Sequence, residues 1–228
     1  MRKPDFITFT GADDQTDIND LIALARDYPG RVEFAILYSP KRTGTARYPT
    51  GNWRRDIQST GLQLAAHLCG EASRQLIATG VTVYDLADFD GISRIQVNTS
   101  DPQVSPARIR AWADGLSRAY LHDIQPILQC RGSFPDDNRV SWLFDQSGGA
   151  GIEPDHWPIP CPDTAGPVGY AGGIGPQNVT QIIARLPQST SWWIDMESKI
   201  RVNDQFDIGL CRQVCEAVYG RPAVRAAE

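Results

Sequence analysis

Lysine is scarce in this chain, with only Lys3, Lys41 and Lys199 among 228 residues, and histidine is equally rare, with His67, His122 and His156. The five cysteines, Cys69, Cys130, Cys161, Cys211 and Cys215, are odd in number and scattered. That pattern excludes a secreted disulfide framework and predicts reduced thiols. Cys211 and Cys215 stand four apart, but no histidine has ligand spacing to them, so no metal and no other cofactor is expected. No apolar run is long enough to span a bilayer, and the amino end lacks a basic segment followed by an apolar run and a cleavage site. The expected location is the cytoplasm. A formal charge of −5 provides no general attraction for nucleic acid or a membrane surface, although a few local cations and amides can still hold an anionic metabolite.

What the chain does have is alternation. Short β-branched or aromatic runs recur between longer amphipathic segments, the pattern of a parallel sheet wrapped by helices. Strands are predicted at Phe6 to Thr10, Val32 to Tyr38, Leu62 to His67, Ile92 to Asn98, Ile124 to Gln129, Val140 to Phe144, Pro167 to Ala171 and Trp192 to Met196. Helices are predicted at Asp17 to Tyr28, Trp53 to Ser59, Glu71 to Ala78, Ser105 to Tyr120, Pro176 to Leu186 and Phe206 to Val218. The stretches Cys130 to Arg139 and Ile152 to Asp163 are too rich in Gly, Pro and Asp for full helices and predict irregular crossovers. Eight strands in one domain, residues 1–228, predict a (β/α)8 TIM barrel with one or two irregular crossovers, its last residues, Arg221 to Glu228, a frayed tail.

Barrels place their chemistry at the carboxyl ends of the strands. Gly172-Gly173-Ile174-Gly175-Pro176 follows the seventh strand, where glycines permit close backbone approach and the positive end of the next helix favours a phosphate; a plain glycine turn explains the same letters. Asp145 ends the sixth strand ahead of Gly148-Gly149-Ala150-Gly151 and is a candidate acid or base, or else a loop-ordering carboxylate. Lys41, Arg42 and Arg47 crowd the second loop, where cations either clamp a substrate anion or are simply solvated. The last strand exits through Asp195, Glu197, Ser198 and Lys199, with Asp195 a candidate for a ligand hydroxyl and Ser198 and Lys199 for the phosphate, and a salt-bridged rim as the alternative. His67 ends the third strand and is either a proton carrier or a structural histidine.

In order, these segments resemble phosphoribosylanthranilate isomerase, the tryptophan-pathway barrel of the ribulose-phosphate-binding type that carries out an Amadori rearrangement. Tyr170 to Val179 looks like that family's phosphate loop, and Trp142-Leu143-Phe144-Asp145 with its glycine loop resembles the strand bearing the catalytic aspartate. Arg47 before Tyr48 resembles the arginine that binds the anthranilate carboxylate, and Trp193-Ile194-Asp195-Met196 resembles the final strand. The resemblance implies Asp145 in catalysis, Arg47 on the substrate carboxylate and the Gly172-Gly173 loop on the phosphate; taken with the strand-end reading, the candidate set is Asp145, Thr10 and His67 for catalysis, Arg47, Lys41 and Asp195 for the substrate, and Gly172, Gly173, Ser198, Lys199 and Gly149 for the phosphate.

The departures are specific. Thr10 stands where the family has its basic cysteine, and a threonine hydroxyl is too weak an acid to inherit that role. Glu197-Ser198-Lys199 replaces Ser-Ser-Gly, setting a carboxylate beside the expected phosphate. Gln96-Val97-Asn98-Thr99 replaces Gln-Leu-His-Gly. The expected activity is an Amadori-type isomerisation of a phosphorylated aminosugar or related sugar phosphate, with Asp13, Asp14, His67 or Glu197 as the second acid or base. The alternatives are a non-catalytic phosphosugar-binding barrel and a Schiff-base lyase or aldolase using Lys199. The expected partner is a small phosphorylated metabolite, bound by a monomer or homodimer.

Overall fold

A computed structural model describes residues 2–99, 101, 103–146, 148–160, 167–187 and 191–222. Eight parallel strands close into a barrel in chain order: β1 (Ile7–Thr10), β2 (Val32–Tyr38), β3 (Leu64–Leu68), β4 (Ile92–Val97), β5 (Gln125–Cys130), β6 (Ser141–Phe144), β7 (Val168–Ala171) and β8 (Trp192–Met196). Pairing of β1 with β8, Ile7 opposite Ile194, shuts the ring.

The helices are α1 (Ile18–Asp27), α2 (Gly51–Gln58), α3 (Glu71–Thr79), α4 (Pro106–Tyr120), α5 (Val179–Arg185) and α6 (Ile208–Tyr219). Their starts follow from local chemistry. The side chains of Asp17, Thr50, Ser105 and Asp207 accept N–H bonds from the first turns of α1, α2, α4 and α6, and Pro106 opens α4 where a missing N–H has no consequence.

Helix α5 starts three residues later than the predicted Pro176. The Asn178 side chain accepts from the Gly175 N–H at 2.9 Å and donates to the Gly173 carbonyl at 2.9 Å. Residues 176–178 therefore form a turn, which sets the helix end back from the glycines.

The two glycine- and proline-rich crossovers carry no helix among the described residues; 161–163 of the second, like 223–228 of the tail, lie outside them. Aromatic side chains from these crossovers cover the strands instead. Phe134 packs edge-on against Phe144 and Tyr170, Trp157 does the same, and Trp142 donates its indole N–H to the Asp137 carbonyl.

Alternation along each strand divides the molecule into two cores. Phe9, Ile36, Ala66, Val97, Phe144, Tyr170, Trp192 and Ile194 pack outward beneath the helices. The inward positions form a separate plug, in which Ile127, Leu143 and Trp193 pack together with Phe6 and Ala171. Gly169 is required there, because a Cβ on it would run into the Trp193 ring and Leu143. Beside this plug lies a buried ion pair. Arg94 Nη1 meets Glu33 Oε1 at 2.9 Å, Thr8 donates to the same oxygen at 2.8 Å, and the guanidinium lies over the Trp193 ring at 4.0 Å. Together these groups close the amino-terminal end of the barrel.

Candidate active site at the barrel mouth

One step further along each strand, the inward positions become polar. Thr10, His67, Gln96, Gln129, Asp145 and Asp195 line a cavity of about 120 Å³ at the carboxyl ends of the strands. All six share the parity of the inward residues beneath them, so the same alternation that packs the interior also delivers the mouth.

Asp195 is the centre of this group. Thr10 Oγ1 donates to its Oδ1 at 2.7 Å, and His67 Nε2 stands 3.8 Å from its Oδ2. That second contact is not an ion pair at neutral pH. Burial, with a smaller contribution from the Arg94 charge, presses His67 down to about 3. Burial pushes Asp195 up to about 8, opposed by the Thr10 bond and assisted by the charges of Glu197, Glu33 and Asp145. At pH 7 the imidazole is therefore neutral and Asp195 holds a proton. Gln96 turns its Nε2 to Asn98 at 2.6 Å, and its buried Oε1 meets no donor among the described residues. A ligand hydroxyl would satisfy that oxygen.

The glycines bring three loops together. Gly149, Gly151, Gly172, Gly173 and Ser198 all line the mouth. A Cβ on Gly172 would come within 2.9 Å of the Ile152 carbonyl, and one on Gly173 within 2.8 Å of the Glu153 nitrogen. The close approach expected between these glycines and a ligand is thus also an approach to the sixth loop's backbone. Gly151 makes room in the same way for the Ser198 side chain.

The predicted cations lie elsewhere. Lys41 is exposed and 3.7 Å from Glu71. Lys199 is also exposed: it belongs to the single helical turn Ser198–Ile200, which brings Ser198 to the mouth and buries Ile200, and its Cβ packs where a Gly175 side chain would sit. Neither lysine lines the mouth. Arg47 reaches the rim, but its Nη1 is 2.6 Å from Glu197 Oε1 and its Nη2 is 2.6 Å from Asp204 Oδ1. Asp204 is presented by the short hairpin of β9 (Arg201–Val202) and β10 (Gln205–Phe206). Asp13 accepts from the Arg47 N–H at 2.7 Å and from Arg201 at 3.3 Å, and Asp14 accepts from the Thr50 N–H at 2.9 Å. Of the four residues considered for the second proton, Asp13 and Asp14 are thus engaged in holding loops, Glu197 is paired with Arg47, and His67 sits neutral against Asp195.

Gln96, Asn98 and Gln129 carry no catalytic motif in the sequence, yet all three line the cavity. Gln96 and Asn98 are signalled only by the fourth-strand comparison with the family's Gln-Leu-His-Gly and by their inward spacing on β4, and Gln129 only by its two-residue spacing from Ile127 on β5. No group of three or more His, Cys, Asp or Glu placed to hold a metal ion occurs among the described residues. No described helix is long and apolar enough to cross a membrane.

No protein-family model and no curated protein matches this sequence. Solved structures do match. N-(5'-phosphoribosyl)anthranilate isomerase from Pyrococcus furiosus aligns over 94% of this chain and 98% of its own, with a TM-score of 0.57 and 13% identity. Triosephosphate isomerase from Bartonella henselae aligns over 95% and 99%, with a TM-score of 0.51 and 10% identity. At such identities the likeness establishes the fold: this chain is a closed eight-stranded TIM barrel, similar in architecture to both isomerases.

Proposed function

We propose that the barrel is an isomerase acting on a small phosphorylated aminosugar or related sugar phosphate, with Asp195 as general acid and Asp145 as general base. The observation that carries this reading is the geometry of Asp195, buried beside Thr10 and His67 in a mouth that Asp145 also lines, a burial that favours its neutral form. Two carboxyl groups in one site, with one kept neutral, are what an acid–base rearrangement needs.

In this scheme Asp195 protonates the ring oxygen as the C1–O bond opens, and the nitrogen lone pair forms the C1=N bond. Asp145 removes the C2 proton, giving the enolamine. The hydroxyl proton on O2 returns to Asp195 as the carbonyl forms, and Asp145 delivers its proton to C1. The rearrangement is internally balanced and needs no external oxidant. Thr10 positions Asp195 and takes no proton. The glycine loops around Gly149, Gly172 and Gly173, with Ser198, are the proposed phosphate cradle.

The compound in the name of the structural neighbour supplies the test. Purified protein is assayed on N-(5'-phosphoribosyl)anthranilate, beside Asp145→Asn and Asp195→Asn. Turnover that drops at least about 10²-fold in each variant, with ligand binding retained, supports the assignment. Full activity in Asp145→Asn would overturn it. Binding without turnover in the wild type would favour a phosphosugar-binding barrel, the reading that Thr10 in the place of a basic cysteine supports.

A further inference from the structure

Beside the plug, Glu33 and Arg94 are buried charges that the proposed mechanism does not use. Arg94 Nη1 meets Glu33 Oε1 at 2.9 Å, yet Arg94 Nε and Nη2 and Glu33 Oε2 have no partner among the described residues. Stability does not call for such a pair, since well-packed apolar side chains in place of a buried ion pair are often as stable or more so. We propose that Arg94 and Glu33 are positioning residues, which hold the proton shared by His67 and Asp195 on the Asp195 carboxyl. The inference rests on the reading of Asp195 as the general acid.

Register places the cation beneath both members of that pair. Arg94 lies opposite Ala65, two residues before His67 on β3. Its guanidinium carbon is 4.0 Å from the ring centroid of Trp193, two residues before Asp195 on β8. Two residues along a strand make one inward layer, so the guanidinium stands a layer below the imidazole and the carboxyl. Glu33 lies to one side. Thr8 pairs in register with both Glu33 and Asp195, and donates to Glu33 Oε1 at 2.8 Å. Glu33 therefore shares a row with Asp195, whereas His67 is flanked by Leu37 and Gln96.

The two groups above feel this pair differently. Burial is the largest influence on each and disfavours charge on both. A proton moved from Asp195 to His67 would form an imidazolium over the Arg94 cation, and like charges repel more strongly away from water. That repulsion adds to burial in keeping His67 at about 3. Arg94 also attracts an ionised Asp195. Glu197, Glu33 and Asp145 oppose that ionisation, while the Thr10 bond favours it. The proton thus has one resting place, on the carboxyl that serves as the acid.

NMR titration without substrate reads the proton directly, from the imidazole carbons of His67 and the carboxyl carbon of Asp195, assigned with His67→Gln and Asp195→Asn. In Arg94→Met/Glu33→Gln the imidazolium population of His67 at about pH 5 is expected to rise about tenfold over the wild type, a midpoint higher by about one unit. Glu33→Gln alone is expected to lower the Asp195 midpoint by about one unit. Arg94→Lys keeps the cation and is expected to leave His67 as in the wild type, which supplies a reading even if the double variant does not fold. His67 unchanged in the double variant, or raised in Arg94→Lys, would overturn the proposal. So would an Asp195 midpoint that Glu33→Gln does not lower. The acid role fails separately: a wild type that holds the proton on Asp195 but does not turn over N-(5'-phosphoribosyl)anthranilate would overturn that role alone.

Discussion

Thr10 and Asp195, 185 residues apart in sequence, meet through a 2.7 Å hydrogen bond at the junction of β1 and β8. The bond favours the ionised carboxylate, so it restrains the upward shift that burial imposes on Asp195. Thr10→Val removes the donor. The titration of Asp195, followed by carboxyl carbon NMR, is then expected to move above its wild-type midpoint at about 8. An unchanged midpoint would show that the hydroxyl has no electrostatic role.

Stability should carry the same signature. Asp195 is protonated in the fold up to about pH 8 and ionised above about 4 when unfolded, so its contribution is complete at low pH and is lost as pH rises towards 8. His67 has the opposite sign: its folded value of about 3 lies below its unfolded one, so stability rises with pH from about 3 to 6.5. The two slopes oppose each other below about pH 6.5, and Asp195 alone acts above it. Between about pH 6.5 and 8 the wild type is expected to lose about 2 kcal/mol relative to Asp195→Asn. Urea denaturation across that range measures the difference, and parallel curves would contradict it.

Arg94 is expected to be costly to remove. Arg94→Met leaves the Glu33 carboxylate buried with Thr8 as its remaining partner, a loss of about 3–5 kcal/mol. Adding Glu33→Gln should restore much of it, because the orphaned charge is then gone. A double variant no more stable than Arg94→Met would mean that the loss comes from packing against Trp193.

Glu197 lines the mouth beside the proposed phosphate cradle, held by Arg47. Glu197→Gln lowers the negative charge facing a phosphate, and inorganic phosphate is expected to bind several-fold more tightly. Arg47→Gln leaves Glu197 without its cation and should weaken the same binding. Phosphate titrations that show no difference among the three proteins would place the anion elsewhere.

Gly169→Ala tests the plug, since the added methyl meets both Trp193 and Leu143. The expected loss is about 1–3 kcal/mol or more, with partial recovery on adding Trp193→Phe. Thermal unfolding of the two variants reads the effect directly.

The barrel is legible in the sequence because each strand carries a short β-branched or aromatic run bounded by polar turns. The predicted strands Val32–Tyr38 and Trp192–Met196 have the same limits in the structure. The start of α5 is not legible, because Pro176 signals a helix while the Asn178 side chain, whose bonds leave no trace in composition, holds a turn. At the mouth, strand-end position marks out His67, Asp145 and Asp195, and the family resemblance marks out Thr10. The engagement of Arg47 is hidden, because Glu197 and Asp204 are 150 and 157 residues away. The same holds for the Arg94–Glu33 pair: the letters are visible, but only the register of neighbouring strands brings them together.

The sealed floor has a consequence for traffic. With Arg94, Glu33 and Trp193 blocking the far end, a ligand held in the mouth must depart by the doorway through which it arrived. Arg47, Glu197 and Asp204 stand beside that doorway as a half-exposed collar of charge. Added salt screens such contacts, so the residence time of a ligand bound in the mouth becomes a function of ionic strength.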